Sequence, residues 1–187
     1  YYKAACDYKT GNCGQDTVER ILLLMNQNKI SQEERSVVRH ALEKAEKTGS
    51  SAVAVELSDG RTVTGRSSKL MSACSSAVLN AVKALSNIDD EMLLLSPIIL
   101  APIIRLKKEV LGEDKVKLSL GDVLTALSIC AATNPIAEKA LDMLVSLRGC
   151  EAHASCILAE SDMSVVRKLG INLTCEPEFG SKDLYGF

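Results

Sequence analysis

Apolar residues recur with a helical period over the first fifty positions of the chain, which predicts two amphipathic helices. One helix follows a capping box that begins at Asp16, and the other follows a second capping box at Ser31 and ends at Gly49. Their apolar stripes are formed by Val18, Ile21, Leu22 and Met25, and by Val37, Val38, Ala41, Leu42 and Ala45. Residues 1–8 have the pattern of a helix tail. We therefore interpret residues 1–50 as a helical segment that ends a larger upstream region.

From Ala52 the apolar period changes to two, which is typical of strands. Strands are predicted at 52–57 and 61–64 around a tight turn at Gly60, because glycine accepts the positive φ of such turns. A polar loop at 65–68 precedes a helix over 70–85. The apolar run 92–95 predicts a third strand, and Ser96 and Pro97 then begin a helix that extends to about residue 111.

The rest of the chain predicts two more helices and a closing β-α-β unit. The helices begin at caps Ser119 and Asn134 and form a helical insertion at about 119–148. Strands at 150–158 and 171–175 flank a helix at 162–169, and their short helical connection makes them parallel. The predicted fold class is therefore α/β: a three-layer α-β-α sandwich around a mixed five-stranded sheet, with residues 51–187 as one domain.

Composition narrows the functional classes. The chain has 187 residues, 47% hydrophobic and 25% charged, with 22 basic and 24 acidic residues. These values are typical of a globular protein and give no electrostatic reason to bind nucleic acid. The longest apolar stretch is too short to span a membrane. Seven cysteines without a Cys-x-x-Cys spacing indicate reduced thiols and a cytoplasmic location.

Two local sequences resemble the cytidine-deaminase-like fold. Residues 53–65 look like its opening hairpin, and residues 95–97 look like the strand end before its second zinc-binding helix. In zinc deaminases the first helix carries a ligand and a general acid/base Glu, and the second begins Pro-Cys-x-x-Cys. Here the corresponding runs are Cys74-Ser75-Ser76 and Pro97-Ile98-Ile99-Leu100-Ala101. The resemblance thus implies this fold without a metal site, without a cofactor and without zinc-dependent deamination.

A closer resemblance covers most of the chain. The runs that carry it are 1–4, 23–27, 127–135, 147–151 and 169–177. They are similar to the C-terminal part of a bacterial family of uncharacterised proteins, domain of unknown function eighteen forty-six. The resemblance implies a larger upstream domain with a Gly-Ser-Cys-Ser-Gly-Lys stretch suggestive of phosphate binding, and it implies no established activity.

Alternating polar residues in the predicted strand at 150–158 form one candidate catalytic group. Glu151, His153 and Ser155 share one face of this strand. Neighbours on the same face lie roughly 6.6 Å apart, too far for a direct hydrogen-bonded relay. A buried histidine or a domain-contact surface is therefore the stronger interpretation, and a functional polar face is the alternative.

A second candidate site precedes the predicted helix at 70–85. Its residues are Arg66, Ser67, Ser68, Ser72, Cys74 and Ser96. Free N–H groups and the positive end of a helix dipole hold anions, which favours a phosphorylated ligand here, although plain N-capping by serine explains the same residues. In deaminase-like folds this loop and the Ser96-Pro97 corner would face one cavity.

Two functional hypotheses follow. In the first, the chain is a non-catalytic or catalytically incomplete module that packs against its upstream domain or forms a homo-oligomer. In the second, it is an enzyme or binding domain for a small phosphorylated or nucleotide-like ligand. Redox sensing by a cysteine is a further alternative. For residues 180–187 we expect either docking on a partner subunit or a frayed terminus.

Overall fold

A computed structural model describes residues 1–180, apart from the side chain of residue 33. Within this range the helices are α1 (Tyr2–Lys9), α2 (Gln15–Gln27), α3 (Ser36–Thr48), α4 (Ala73–Ser86), α5 (Pro97–Arg105), α6 (Leu120–Ala131), α7 (Pro135–Asp142) and α8 (Glu160–Leu169). The strands are β1 (Ala52–Glu56), β2 (Thr62–Arg66), β3 (Glu151–Ala154) and β4 (Asn172–Cys175). A π-helical turn (Leu106–Val110) extends α5, and 3₁₀ turns lie at Gln32–Glu34 and Met143–Leu147.

The four strands form one mixed sheet in the order β2-β1-β3-β4. Strand β1 is antiparallel to β2 and β3, whereas β3 and β4 are parallel, as expected for the β-α-β unit that α8 completes. The prediction of a fifth strand at 92–95 was wrong, because this run is a bend without strand pairing. Leu94 and Leu95 are nevertheless buried in the main core. A short apolar run indicates burial, and burial alone does not distinguish a strand from a loop.

Several predicted boundaries differ from those observed. Strand β3 ends at Ala154 rather than at residue 158, and β2 includes Gly65 and Arg66, which were predicted to be loop. Helix α2 begins after Gly14 rather than after the capping box expected at Asp16. The capping box at Ser31 is present but caps a 3₁₀ turn, and α3 begins five residues later.

Helices cover both faces of the sheet. Helix α3 packs on the face that carries Ala54, and helix α4 packs on the face that carries Val53 and Val55, where most of the core lies. Gly65 allows the close approach of α4 to β2, because a Cβ at Gly65 would lie 2.6 Å from the Cα of Ala77. The end of β2 is therefore held directly against the first half of α4.

Two helices carry little of the core. None of the 13 residues of α2 is buried, and Leu100 is the one buried residue of α5. Among the helices of residues 1–180, none is both long enough and apolar enough to cross a membrane. The C-terminal stretch predicted to dock on a partner lies almost entirely outside the described residues.

Candidate functional site

A small polar cavity of about 360 Å³ lies where β2 ends. Its wall includes the turn after α3, the segment 66–69 and Lys117. The backbone of Leu118 pairs with Leu70 and Ser72, and this pairing holds Lys117 beside the loop, with its Nζ 2.9 Å from Ser67 Oγ. The predicted candidates Arg66, Ser67 and Ser68 are thus brought together with a lysine fifty residues away in sequence.

A larger cavity of about 530 Å³ adjoins the small one, since Arg66 and Ser68 line both. Its wall is mainly aliphatic, formed by Leu70, Met71, Leu79, Leu93, Leu94, Leu95, Pro97 and Leu100. Pro97 places the Ser96-Pro97 corner at this cavity, whose wall also includes Lys44 of α3. The volume lies within the roughly 300–1,000 Å³ of small-molecule sites.

The charged residues that line the two cavities are all basic. Their walls contain five basic side chains and no carboxylate: Lys44, Arg66, Lys69, Lys83 and Lys117. Within residues 1–180 none of the five is ion-paired, although Lys83 donates a hydrogen bond to the carbonyl of Asp90. The chain as a whole has a formal charge of −2, so this surface is a local concentration of positive charge.

The other three predicted residues of this group have structural partners. Ser72 is the N-cap of α4, and its Oγ accepts a hydrogen bond from the N–H of Ser75. Cys74 is buried in the first turn of α4, and burial raises the pKa of its thiol. The N–H of Ser96 donates to the sulfur of Cys130. These contacts stabilise the first turns of α4 and α5. Ser72, Cys74 and Ser96 are not among the residues that line the two cavities.

The group Glu151, His153 and Ser155 does not form a relay, because each side chain bonds elsewhere. Glu151 pairs with Arg35 and accepts a hydrogen bond from Asn172. Ser155 Oγ accepts a hydrogen bond from the N–H of Ala52, 2.9 Å away. These contacts join β3 to the segment before α3 and to its neighbouring strands.

His153 is fully buried, at 0% exposure, and both ring nitrogens have partners. Nδ1 lies 2.8 Å from Thr174 Oγ1, and Nε2 lies 3.1 Å from Glu176 Oε1. Arg35 donates to Thr174 Oγ1, and Tyr2 forms a hydrogen bond with Glu176 and packs edge-on against the imidazole. These five side chains, the His153 network, connect α1 and the start of α3 to the centre of the sheet.

The proton arrangement follows from the partners. The Glu176 carboxylate accepts from Nε2–H, so Nδ1 of the neutral ring accepts from the Thr174 hydroxyl, which lies closer to Nδ1 (2.8 Å) than to its other acceptor, the Ala152 carbonyl (3.5 Å). Burial, and then the charge of Arg35, lower the pKa of His153 from 6.5 to about 4. The ring is thus neutral at pH 7 with both nitrogens satisfied. A base that is buried, neutral and fully bonded fits a structural role better than acid–base catalysis.

Sequence reasoning missed the partners of His153. Thr174 is directly opposite His153 in the parallel register of β3 and β4, and Glu176 follows on the same face two residues later. A register for the predicted parallel pair would have placed Thr174 there. No local signal points to Arg35 or Tyr2.

The thiols do not favour redox sensing. All seven cysteines are free. Burial is the main cause that raises the pKa of Cys6 to about 11 and that of Cys175 to about 12, and it also raises the pKa of Cys150 and Cys156. Because the thiolate is the reactive form, these sulfurs react poorly at neutral pH.

Exposed apolar side chains lie along α5 and its flanking segments. They are Leu93, Ile98, Leu106, Val110 and Leu111, which we call the α5 surface. Ile98 is 81% exposed, Leu93 75% and Val110 71%. Burying side chains of this kind would remove apolar surface from water and stabilise the protein. Within residues 1–180 no group of three or more His, Cys, Asp or Glu side chains is placed to hold a metal ion.

Fold and site together define an α/β domain with a mixed four-stranded sheet, a cationic double cavity and an exposed apolar surface along α5 and its flanking segments. The family model described as domain of unknown function DUF1846, C-terminal, matches residues 33–185, and the chain belongs to this family. A UPF0371 protein of Clostridioides difficile (strain 630) is 45% identical over an alignment of 193 positions, which covers 99% of this chain and 38% of that protein. A UPF0371 protein of Clostridium botulinum (strain Langeland) is 46% identical over 192 residues, covering 98% and 38%.

The family name agrees with the resemblance noted in the sequence and carries no biochemical activity. The chain spans about two fifths of the length of the curated relatives it matches.

Proposed function

We propose that this chain is a docking module within a larger protein and that the α5 surface is its contact. The observation that carries the proposal is the exposure of the α5 surface, since five large apolar side chains exposed within residues 93–111 mark an interaction site more often than a solvated face. Helix α5 packs on the core through buried Leu100 and through the partly buried Ile99, Ile103 and Ile104, but this packing does not explain why Ile98 and the apolar side chains that flank the helix are exposed.

The occupant we propose is the remainder of the longer protein. In the relatives, the region equivalent to this chain is 38% of the polypeptide, so most of the protein is available to cover the surface in the same molecule. Burying an apolar surface within one chain avoids the loss of translational freedom that a separate partner imposes. A homo-oligomer built on the same surface is the competing outcome.

Light scattering of this 187-residue chain, alone and mixed with the remaining part of a full-length relative, tests the proposal. We expect a one-to-one complex, which Ile98→Glu with Val110→Glu abolishes and Val145→Glu leaves intact. Val145 is a matched control because it is an equally exposed apolar residue, at 74%, on a different element. A self-associating chain, or a monomer without affinity for the remaining part, would contradict the proposal.

The proposal includes a cytidine-deaminase-like scaffold without zinc chemistry and a reducing, cytoplasmic setting. Support for the first comes from the serines that follow Cys74 and from the absence of thiols in residues 97–101. Support for the second comes from seven free cysteines, because oxidising compartments favour paired ones. Stoichiometric zinc in the purified protein, measured by plasma emission spectrometry, would contradict the first part.

We infer a second candidate function, the binding of a small phosphorylated ligand. The specific observation is the small cavity, where Arg66, Lys69 and Lys117 meet without a carboxylate. Phosphate oxygens accept charge-assisted hydrogen bonds from such groups. A thermal-shift series with inorganic phosphate, ribose 5-phosphate and adenosine 5′-monophosphate tests this function, since a ligand of the folded state must raise the Tm. No shift with any of them at saturating concentration would contradict it.

A further inference from the structure

The two cavities differ in chemistry although they share a wall. The small cavity is lined by serines, glycines and the cations Arg66, Lys69 and Lys117. The larger one is mainly aliphatic, with Lys44 and Lys83 at its edge. A ligand that occupied both would need a charged end and an apolar body, held in a fixed order by the walls.

Arg66 fixes the junction between the cavities. It is the last residue of β2, and its backbone pairs with Ala52 while its side chain lines both spaces. Ser68, the other shared residue, is held by its own loop, because its Oγ accepts hydrogen bonds from the N–H groups of Leu70 and Met71. The junction is therefore formed by one cationic side chain, Arg66, and one polar side chain, Ser68, that is hydrogen-bonded to its own loop.

The cations in the small cavity are available to a ligand. Lys117 Nζ donates a hydrogen bond to Ser67 Oγ. A phosphate oxygen can take the place of this hydroxyl, because a hydrogen bond between an ammonium group and a phosphate is stronger than one between an ammonium group and a neutral hydroxyl. Among the described residues, Arg66 and Lys69 are not ion-paired. A phosphate dianion here would gain three cations without displacing an internal salt bridge.

The larger cavity has an apolar wall that is partly exposed to solvent. Leu93 is 75% exposed and lines this space, whereas Leu94 and Leu95 beside it are buried. A planar or aliphatic body in the cavity would cover Leu93 and exchange water for apolar contact. Its volume of about 530 Å³ accommodates more than a phosphate ion requires.

We propose that the double cavity binds a phosphate monoester with an apolar or aromatic body, of the nucleoside monophosphate class, with the phosphate among Arg66, Lys69 and Lys117 and the body against Leu93. This inference rests on the second candidate function and adds the ligand's orientation and the residues that contact its phosphate and its apolar body. It predicts that the phosphate and the body contribute to affinity through separate side chains.

Isothermal titration of this 187-residue chain with adenosine 5′-monophosphate, adenosine and inorganic phosphate tests the proposed orientation. We expect the monophosphate to bind at least tenfold more tightly than either component. Lys117→Gln should weaken both phosphate-containing probes about tenfold, the loss of one charge-assisted contact. Leu93→Ser should weaken the monophosphate about fivefold and leave inorganic phosphate unchanged.

Matched controls are available on other elements. Lys139→Gln removes an exposed lysine of α7, and Val145→Ser removes an exposed apolar side chain of a 3₁₀ turn; neither should alter binding. If no phosphate-containing probe binds, the candidate function itself fails. If inorganic phosphate binds as tightly as the monophosphate, or if Leu93→Ser has no effect on the monophosphate, the function stands and the proposed orientation is overturned.

Discussion

Acid should weaken this fold through His153. The imidazole is buried between Thr174, Glu176 and the ring of Tyr2, and burial followed by the charge of Arg35 lowers its pKa from 6.5 to about 4. Below pH 6.5 the unfolded chain therefore takes up a proton that the folded chain resists. Because the unfolded state then binds more protons, the contribution of His153 to stability is complete above pH 6.5 and is lost as the pH falls towards 4.

The magnitude follows from the two pKa values. At about 1.4 kcal/mol for each pH unit between 6.5 and about 4, the full loss is roughly 3 kcal/mol. Between pH 7 and pH 5 the linkage relation gives a loss of about 2 kcal/mol. Glu176 acts in the opposite direction, because burial raises its pKa and the folded protein then holds its proton more firmly as the pH falls. The difference between variants is thus more informative than the wild-type slope alone.

Urea denaturation at pH 7, 6 and 5 measures this loss in the wild type, His153→Gln and His40→Gln. His40 is the other histidine of the chain, so its replacement controls for loss of an imidazole as such. The wild type and His40→Gln should lose about 2 kcal/mol more than His153→Gln on going from pH 7 to pH 5. Equal losses in all three proteins would refute the reasoning.

An NMR titration of the wild type provides a second measurement that does not depend on how well His153→Gln folds. The ring resonances of His153 should stay at their neutral positions down to about pH 5. A midpoint near 6.5 would show that the ring is solvated and would contradict the network described above.

Two further predictions concern local packing and capping. Gly65→Ala should destabilise the fold by about 1–3 kcal/mol, because the new Cβ would clash with the backbone of Ala77. Gly121→Ala is the control and should not destabilise the fold, because the nearest atom to its new Cβ lies 3.8 Å away. The midpoints of urea denaturation should therefore differ between the two variants. Ser119→Ala should cost about 1 kcal/mol, since Ser119 Oγ accepts the N–H of Asp122 at the start of α6, and an unchanged midpoint would contradict that role.

The elements that could be predicted from sequence are those with local signals. The caps at Ser119 and Asn134 and the helix end at Gly49 depend on residues within one turn, and all three are observed. The bend at 92–95 could not be predicted, because Leu94 and Leu95 are buried in the main core without pairing with a strand, whereas Leu93 between Met92 and Leu94 is exposed. The order of strands in the sheet likewise depends on non-local pairing.

The same distinction applies to the candidate site. Arg66, Ser67 and Ser68 are neighbours in sequence, so their common loop was visible in the pattern. Lys117 joins them because the bridge between Met71 and Leu118 brings two distant segments together. No period or motif in one sequence encodes such a contact, and for the same reason Arg35 was not foreseen as a partner of Thr174.

The docking surface and the ligand cavity share a residue, which links the two proposed functions. Leu93 belongs to the α5 surface and lines the larger cavity, and Pro97 begins α5 at the cavity wall. A domain that covered α5 would therefore also narrow the cavity mouth. Binding sites that affect each other's free energy do so reciprocally. Because the ligand's body and the docked domain would both cover Leu93, we expect adenosine 5′-monophosphate to bind more weakly to the complex than to this chain alone, and the complex to form more weakly with the ligand present. Equal affinities in titrations of the two forms would show that the surface and the cavity are independent.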